Sequence, residues 1–229
     1  MNIYLLVEGE KTEKQVYDKW IGYTNNSLRV VTDIRDVSVN NVFMIASHGY
    51  PGYLKHIRDA VEDVSTSTDD YGAQVFNRLV VAVDTETVTV EEKKVEITSI
   101  VNEALNGSHM AFDLHVVAQH FCIEVWFLGN RNLLQNSGRR LSGNYIKHYD
   151  VSLRDPELLN VPINSIQLTK AQYAKMYLKK LFNDKYPHLT YSSNNPGPVL
   201  DKNYYRFVVS RFKDTGHIQS FRAFIEAFS

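Results

Sequence analysis

The sequence predicts an α/β protein: a mostly parallel sheet flanked by helices, followed by a mainly helical, basic C-terminal portion. Three observations carry that reading. Apolar runs at residues 2–7, 79–83 and 114–121 are nearly continuous instead of alternating, the pattern of strands buried on both faces. Segments of helical period separate them, so the strands need crossover connections, and such connections make neighbouring strands parallel. The charge also reverses along the chain: residues 1–138 hold 11 Lys+Arg against 19 Asp+Glu and residues 139–229 hold 14 against 7, giving −8 and +7 within a net charge of −1.

Taken in order, residues 2–7 form a strand that ends at Glu8-Gly9. Thr12 opens a helix with Val16, Trp20 and Ile21 at helical spacing, stopped near Gly22 and the polar cluster 24–27. Residues 28–31 and 41–46 are further strands, and 53–64 a helix closed by the STSTDD run at 65–70. The strand 78–84 repeats the opening pattern, an apolar core and then an acid. Residues 90–105 are helical by period, with Val95, Ile97, Ile100, Val101 and Leu105 on the apolar side and Asn106-Gly107 as the stop. A strand at 114–121 leads into a short helix or tight turn at 123–128. Residues 130–165 are rich in loops; helices follow at 170–182, 204–212 and 217–228, with the SSNNPGP turn at 192–198 between the first two.

A chain of 229 residues with 44% hydrophobic content can bury a proper core but is short for two full-sized domains. We expect a catalytic core over residues 1–130 and a basic C-terminal portion over 131–229 packed on it. Cys122 is the single cysteine, which rules out an intramolecular disulfide and a multi-thiolate zinc site. No apolar run is long enough to span a bilayer, and the chain enters its first strand without a basic leader, so the expected location is cytoplasmic, with no membrane partner.

Ligands of open parallel sheets collect outside the carboxyl ends of the strands. Glu8 follows the first long run, Asp84 ends the second, and Glu124 lies three residues beyond the third. Asp84 and Glu86 are two apart, so they point to one side wherever the extended conformation persists. Carboxylates brought together repel unless a cation joins them, and a hard divalent ion suits all-oxygen ligands. The alternative is that each acid caps a helix or sits in a solvated turn.

The stretch LLVEGEKTEKQVY, residues 5–17, resembles the opening of Toprim domains, most closely the E-G-E-x-T-E form of RloB-like and related OLD-family nucleases. VVAVDTET, residues 80–87, resembles the second Toprim motif, a hydrophobic strand ending in Asp-x-Asp, here with glutamate in the last place. CIEVWFLGN, residues 122–130, is similar to the C-F-E-x-W-L-L stretch of RloB-like sequences. The resemblance covers residues 1–130 and implies a Toprim-like core that hydrolyses phosphodiester bonds in DNA or RNA with Mg²⁺ or Mn²⁺, as two ions. It further implies that Glu8 acts as metal ligand or general base, that Asp84 and Glu86 form the metal-binding pair, that Glu124 is a further ligand, and that Glu13 is the second acid of the first motif. An assisting lysine downstream is implied too, with Lys170 and Lys175 as candidates. Such proteins serve bacterial defence against phages, commonly beside an ATPase; no G-x-x-x-x-G-K-[ST] loop occurs here, so an ATPase would be a separate subunit.

Arg139 and Arg140 in a Gly/Ser/Asn-rich loop, with Lys202, Arg206, Arg211 and Lys213 among aromatic residues, form the candidate nucleic-acid-binding set, for DNA or RNA including tRNA. The other reading of that aromatic stretch is the apolar face of a packed helix with its charges on the wet side. His48, His109, His115, His120 and His217 show no zinc-enzyme spacing, and Cys122 reads as a buried structural thiol. Two further readings compete with nuclease activity: a Toprim scaffold that has lost catalysis and binds nucleic acid or a partner ATPase, and an unrelated parallel α/β domain of receiver-like or hydrolase type.

Overall fold

The structure is a computed structural model and describes every residue except His48, Tyr50, residues 135–141, Ile166, Pro187 and Thr190. Five parallel strands, β1 (Ile3–Val7), β2 (Arg29–Val31), β3 (Asn41–Ala46), β4 (Arg78–Asp84) and β5 (Asp113–Gln119), form one sheet in the order β2-β3-β1-β4-β5. Helices α1 (Thr12–Thr24), α2 (Gly52–Thr66) and α3 (Val90–Leu105) connect them. The parallel α/β class expected from the sequence is the one observed. By contact, the chain forms two compact units: residues 1–83, 89–118 and 223–229, and residues 84–88 with 119–222. These units are not contiguous in sequence: residues 84–88 join the second, and the last seven residues the first.

In the first unit the central strands are buried on both faces, which is why their sequences do not alternate. Tyr4, Leu6, Leu79, Val81 and Val83 meet the α2 and α3 residues Tyr53, Ile57, Val61, Ile97 and Val101. Ile3, Leu5, Val7, Val80 and Ala82, the alternate residues of the same strands, are equally buried. On α1, Tyr17 and Trp20 pack edge-on against Phe224, with centroids 5.2 and 6.2 Å apart. Arg78, the first residue of β4, donates to the carbonyl of Ala227 at 2.6 Å, which ties down the end of the C-terminal helix.

Helix α3 has the predicted limits, set by a capping box between Thr89 and Glu92 and by Asn106 in the left-handed conformation. Ile97, Ile100, Val101 and Leu105 are buried as expected, with one departure on that face. Val95 is 70% exposed, whereas Lys93 is buried. Lys93 reaches the Tyr53 hydroxyl at 3.0 Å and the Glu96 carboxylate at 2.7 Å, so its charge goes under cover with partners supplied.

The second unit contains α4 (Glu124–Phe127), α5 (Gly143–His148), α6 (Lys170–Lys185) and α7 (Lys202–Thr215), and the start of α8 (Phe221–Phe228). It is pinned by buried hydroxyl and indole donors: Tyr204 to the Phe127 carbonyl at 2.7 Å, Tyr177 to the Tyr149 carbonyl at 2.8 Å, and Trp126 to Ser220 at 2.7 Å. Buried Asp184 accepts both the amide and the hydroxyl of Ser142. A β-carbon at Gly129, just past the end of α4, would crowd the Trp126 carbonyl at 2.8 Å and Ile218 at 3.0 Å, so a larger residue there would force the backbone to shift. The last helix, expected from residue 217, begins at Phe221: Gly216 and Ile218 both have positive φ, which breaks the helical path. Among the described residues, no helix is long and apolar enough to cross a membrane.

Candidate functional site

In the first unit, β1 lies between β3 and β4, so connections leave the sheet on both sides of it. That is the topological position at which parallel sheets bind ligands. Glu8 follows β1 directly. Its amide donates to the Ala82 carbonyl at 3.0 Å and its carbonyl accepts the amide of Gly49 at 3.1 Å, so neighbouring strand exits hold its backbone on two sides. The Glu13 carboxylate lies against Gly9, in the space a β-carbon would fill. Glycine here lets the first turn of α1 fold its acid back over the exit of β1. Glu8 and Glu13 therefore both belong to this exit.

In the second unit, Asp84 ends β4 and Glu124 opens α4 two residues beyond the buried Cys122. Burial first, and then the negative charges of Glu124 and Asp84, push that thiol well above its ordinary range. Cys122 is therefore held neutral, which fits the structural role predicted for it and leaves no thiolate nucleophile. Glu124, the first residue of α4, is 5% exposed. Its Oε1 accepts the Tyr191 hydroxyl at 3.0 Å and lies 3.7 Å from the Lys175 ammonium. Lys175 also donates to Ser193 Oγ at 2.6 Å.

Glu86 does not continue the line of Asp84. The strand stops at Asp84, and Glu86 is exposed with φ of 51°. The two-residue alternation that would set both carboxylates on one side is broken by this left-handed turn. Lys170, on the first turn of α6, lies over the Phe121 ring at 4.5 Å; Lys175, one and a half turns on, is the lysine that reaches an acid of the set.

Of the basic residues expected to bind nucleic acid, Lys202 and Arg206 are exposed one turn apart on α7, and Lys213 is exposed further along the same stripe. Arg211 is a correction: it is 1% exposed, and its guanidinium donates to the carbonyls of Ser152 at 2.8 Å, Val151 at 3.1 Å and Arg154 at 2.8 Å. Burial and the neighbouring Arg131 lower its pKa to about 10, which still leaves it charged at neutral pH. It holds a loop in place and is out of reach of a phosphate. The aromatic residues beside it divide in the same way, Tyr204 and Tyr205 being buried and Phe207 43% exposed. Arg139 and Arg140 lie outside the described residues.

Among the described residues, no group of three or more His, Cys, Asp and Glu side chains is gathered so as to hold a metal ion. The acids of the second unit expected as ligands are Asp84, Glu86 and Glu124, all carboxylate-oxygen donors. That chemistry suits Mg²⁺, which is commonly held by one or two carboxylates and keeps water and substrate phosphate as its other ligands. Tyr191 and Ser193 were not anticipated from the sequence. Comparison with family models, with curated proteins and with solved structures finds no match to this chain.

Proposed function

We propose that the protein is a Toprim-type, divalent-metal-dependent nuclease of the cytoplasm, hydrolysing phosphodiester bonds in DNA or RNA. The observation that carries this reading is the pairing of buried Glu124 with the Lys175 ammonium at 3.7 Å just beyond β5, while Asp84 ends the neighbouring strand β4. Two carboxylates and an ammonium at the carboxyl ends of parallel strands are suited to holding a cation and a phosphate together. The motif match at residues 5–17 adds Glu8, with Glu13 behind it.

In this reading Asp84 and Glu124 hold Mg²⁺ or Mn²⁺, and the role of Glu8 as a further ligand or the base, with a second ion, rests on the motif match alone. When bound, such ions supply charge neutralisation on the phosphate and a water of lowered pKa. The protein's own work is positional. The burial of Glu124 fixes its carboxylate, and Lys175 offers a proton-bearing charge to the phosphate. Lys202 and Arg206 attract the nucleic-acid backbone, which makes binding dependent on salt. Lys175 takes the role for which Lys170 and Lys175 were both candidates, because it alone of the two adjoins an acid of the set.

The deciding experiment is a cleavage assay with Mg²⁺ and Mn²⁺ on plasmid DNA, single-stranded DNA and tRNA, comparing the wild type with Glu8→Ala and Asp84→Ala. Activity in the wild type and its loss in both variants is expected. Cleavage that survives both substitutions would sink the reading. Metal binding without cleavage would favour the second reading, a scaffold for nucleic acid or a separate ATPase subunit of an anti-phage system; exposed Glu86 in the altered second motif is the feature that supports it.

A further inference from the structure

Glu124 is a buried carboxylate whose orientation is set from a distant part of the chain. Tyr191 lies 67 residues further on and is 3% exposed, its ring packed 5.5 Å from that of Phe182 and 6.4 Å from that of Phe127. From that seat its hydroxyl donates to Oε1 of Glu124 at 3.0 Å. Two residues later, Ser193 accepts the Lys175 ammonium at 2.6 Å, while the same ammonium stands 3.7 Å from Glu124 Oε1. One short segment therefore touches both members of the acid–lysine pair. Its two contacts act in different senses. The phenol fixes the carboxylate through a neutral donor, which leaves the negative charge in place. The serine hydroxyl holds the ammonium at a distance where it does not close into a tight ion pair with the carboxylate.

We propose that Tyr191 and Ser193 are positioning residues for the metal ligand Glu124: Tyr191 aims its carboxylate, and Ser193 parks Lys175 so that a cation can compete for it. This rests on the metal-dependent reading above. Outer partners of metal ligands fix ligand orientation, and their loss commonly weakens metal affinity by roughly ten- to a hundredfold. A carboxylate already neutralised by a lysine is a poor cation ligand, because the two positive charges exclude each other.

The test is Mn²⁺ binding to the full chain without nucleic acid, measured by calorimetry and by electron paramagnetic resonance, for wild type, Tyr191→Phe, Ser193→Ala and Glu124→Gln. Tyr191→Phe keeps the ring packing and removes only the hydroxyl. It should weaken Mn²⁺ binding by about tenfold or more, and raise the Mn²⁺ concentration for half-maximal cleavage by the same factor, with the maximal rate recovered at excess Mn²⁺. A purely structural defect would not be rescued by metal. Ser193→Ala, on a more exposed loop, should weaken Mn²⁺ binding by a smaller factor, and Glu124→Gln by the largest. If the wild type binds Mn²⁺ with dependence on Glu124 and Tyr191→Phe binds equally well, the positioning role is overturned while the metal site stands. If the wild type binds no Mn²⁺, the metal reading and this inference fall together.

Discussion

The hydroxyl of Thr85 accepts the amide of Phe121 at 2.9 Å and so joins the turn after β4 to the exit of β5. Two backbone bonds complete the tie, from the Thr85 amide to the Gln119 carbonyl at 2.9 Å and from the Glu86 amide to the Phe121 carbonyl at 3.1 Å. Thr85 is 2% exposed, so its replacement by valine leaves a buried amide without its acceptor. The expected cost is about 1–3 kcal/mol. Urea unfolding should show a lower midpoint for Thr85→Val at an unchanged slope, and Thr85→Ser should retain most of the stability. Equal midpoints for valine and wild type would mean that the side-chain tie adds nothing.

Glu86 adopts φ of 51°, a conformation that disfavours residues other than glycine, asparagine and aspartate. Glu86→Gly should therefore be neutral or stabilising, by up to about 1 kcal/mol once the added freedom of the unfolded chain is allowed for. Because its carboxylate is turned out of the line of Asp84, Glu86→Gly should bind Mn²⁺ within about threefold of wild type, a change smaller than one hydrogen bond's worth. A loss as large as that in Asp84→Ala would return Glu86 to the metal site.

The central strands β1 and β4 were legible because both of their faces are covered, which leaves mostly apolar residues to read. The edges of that legibility are physical as well. Val95, expected on the apolar side of α3, is exposed, and Lys93 is buried there because Tyr53 and Glu96, one of them on another helix, supply the partners that let an ammonium go under. Periodicity carries no record of such partners. Arg211 was misread for the same reason: its three carbonyl acceptors come from residues 151–154, nearly sixty positions away. Asp84 and Glu124 stand out in the sequence because each follows an apolar run, whereas Tyr191 looks like one more aromatic residue until the fold carries it to Glu124.

Arg211 and Arg206 should separate cleanly. Arg211→Lys cannot span three carbonyls with a single ammonium, and buried acceptors are left over. We expect it to lose about 2–4 kcal/mol of stability, roughly the cost of one or two unsatisfied buried groups. Arg206→Glu, at an exposed position, should leave the melting temperature nearly unchanged and weaken nucleic-acid binding most at low salt. Stability loss in Arg206→Glu with intact binding would reverse the two assignments.

A pH effect is expected from Glu157. Burial raises its carboxyl above the ordinary value of 4.5, outweighing the amide of Ser220 that donates to it at 2.8 Å. The folded state thus holds the proton more tightly than the unfolded state, so the stabilisation is present below 4.5 and is lost as pH rises through the raised value. Glu157→Gln keeps an acceptor for Ser220 and removes the charge. Its melting temperature should exceed that of wild type near pH 7 and approach it near pH 4, the unperturbed carboxyl range. A constant difference across that range would assign the effect to packing.

Lys175 makes the sharpest demand on the proposed chemistry, because its effects on metal binding and on cleavage should have opposite signs. Its ammonium lies 3.7 Å from Glu124 Oε1, where it competes with any cation for the same oxygen. Lys175→Met removes that competition and should tighten Mn²⁺ binding, by about two- to fivefold for a half-exposed charge in a high-dielectric setting. It should also slow cleavage by at least about a hundredfold, the scale for losing one charge that stabilises a transition state. Lys170→Met removes a charge that rests on the Phe121 ring and should do neither to a comparable degree. The measurement pairs calorimetric Mn²⁺ titration with single-turnover cleavage at saturating metal. Weaker metal binding in Lys175→Met would mean that the lysine supports the site through packing, and cleavage lost only in Lys170→Met would move the assisting role to Lys170.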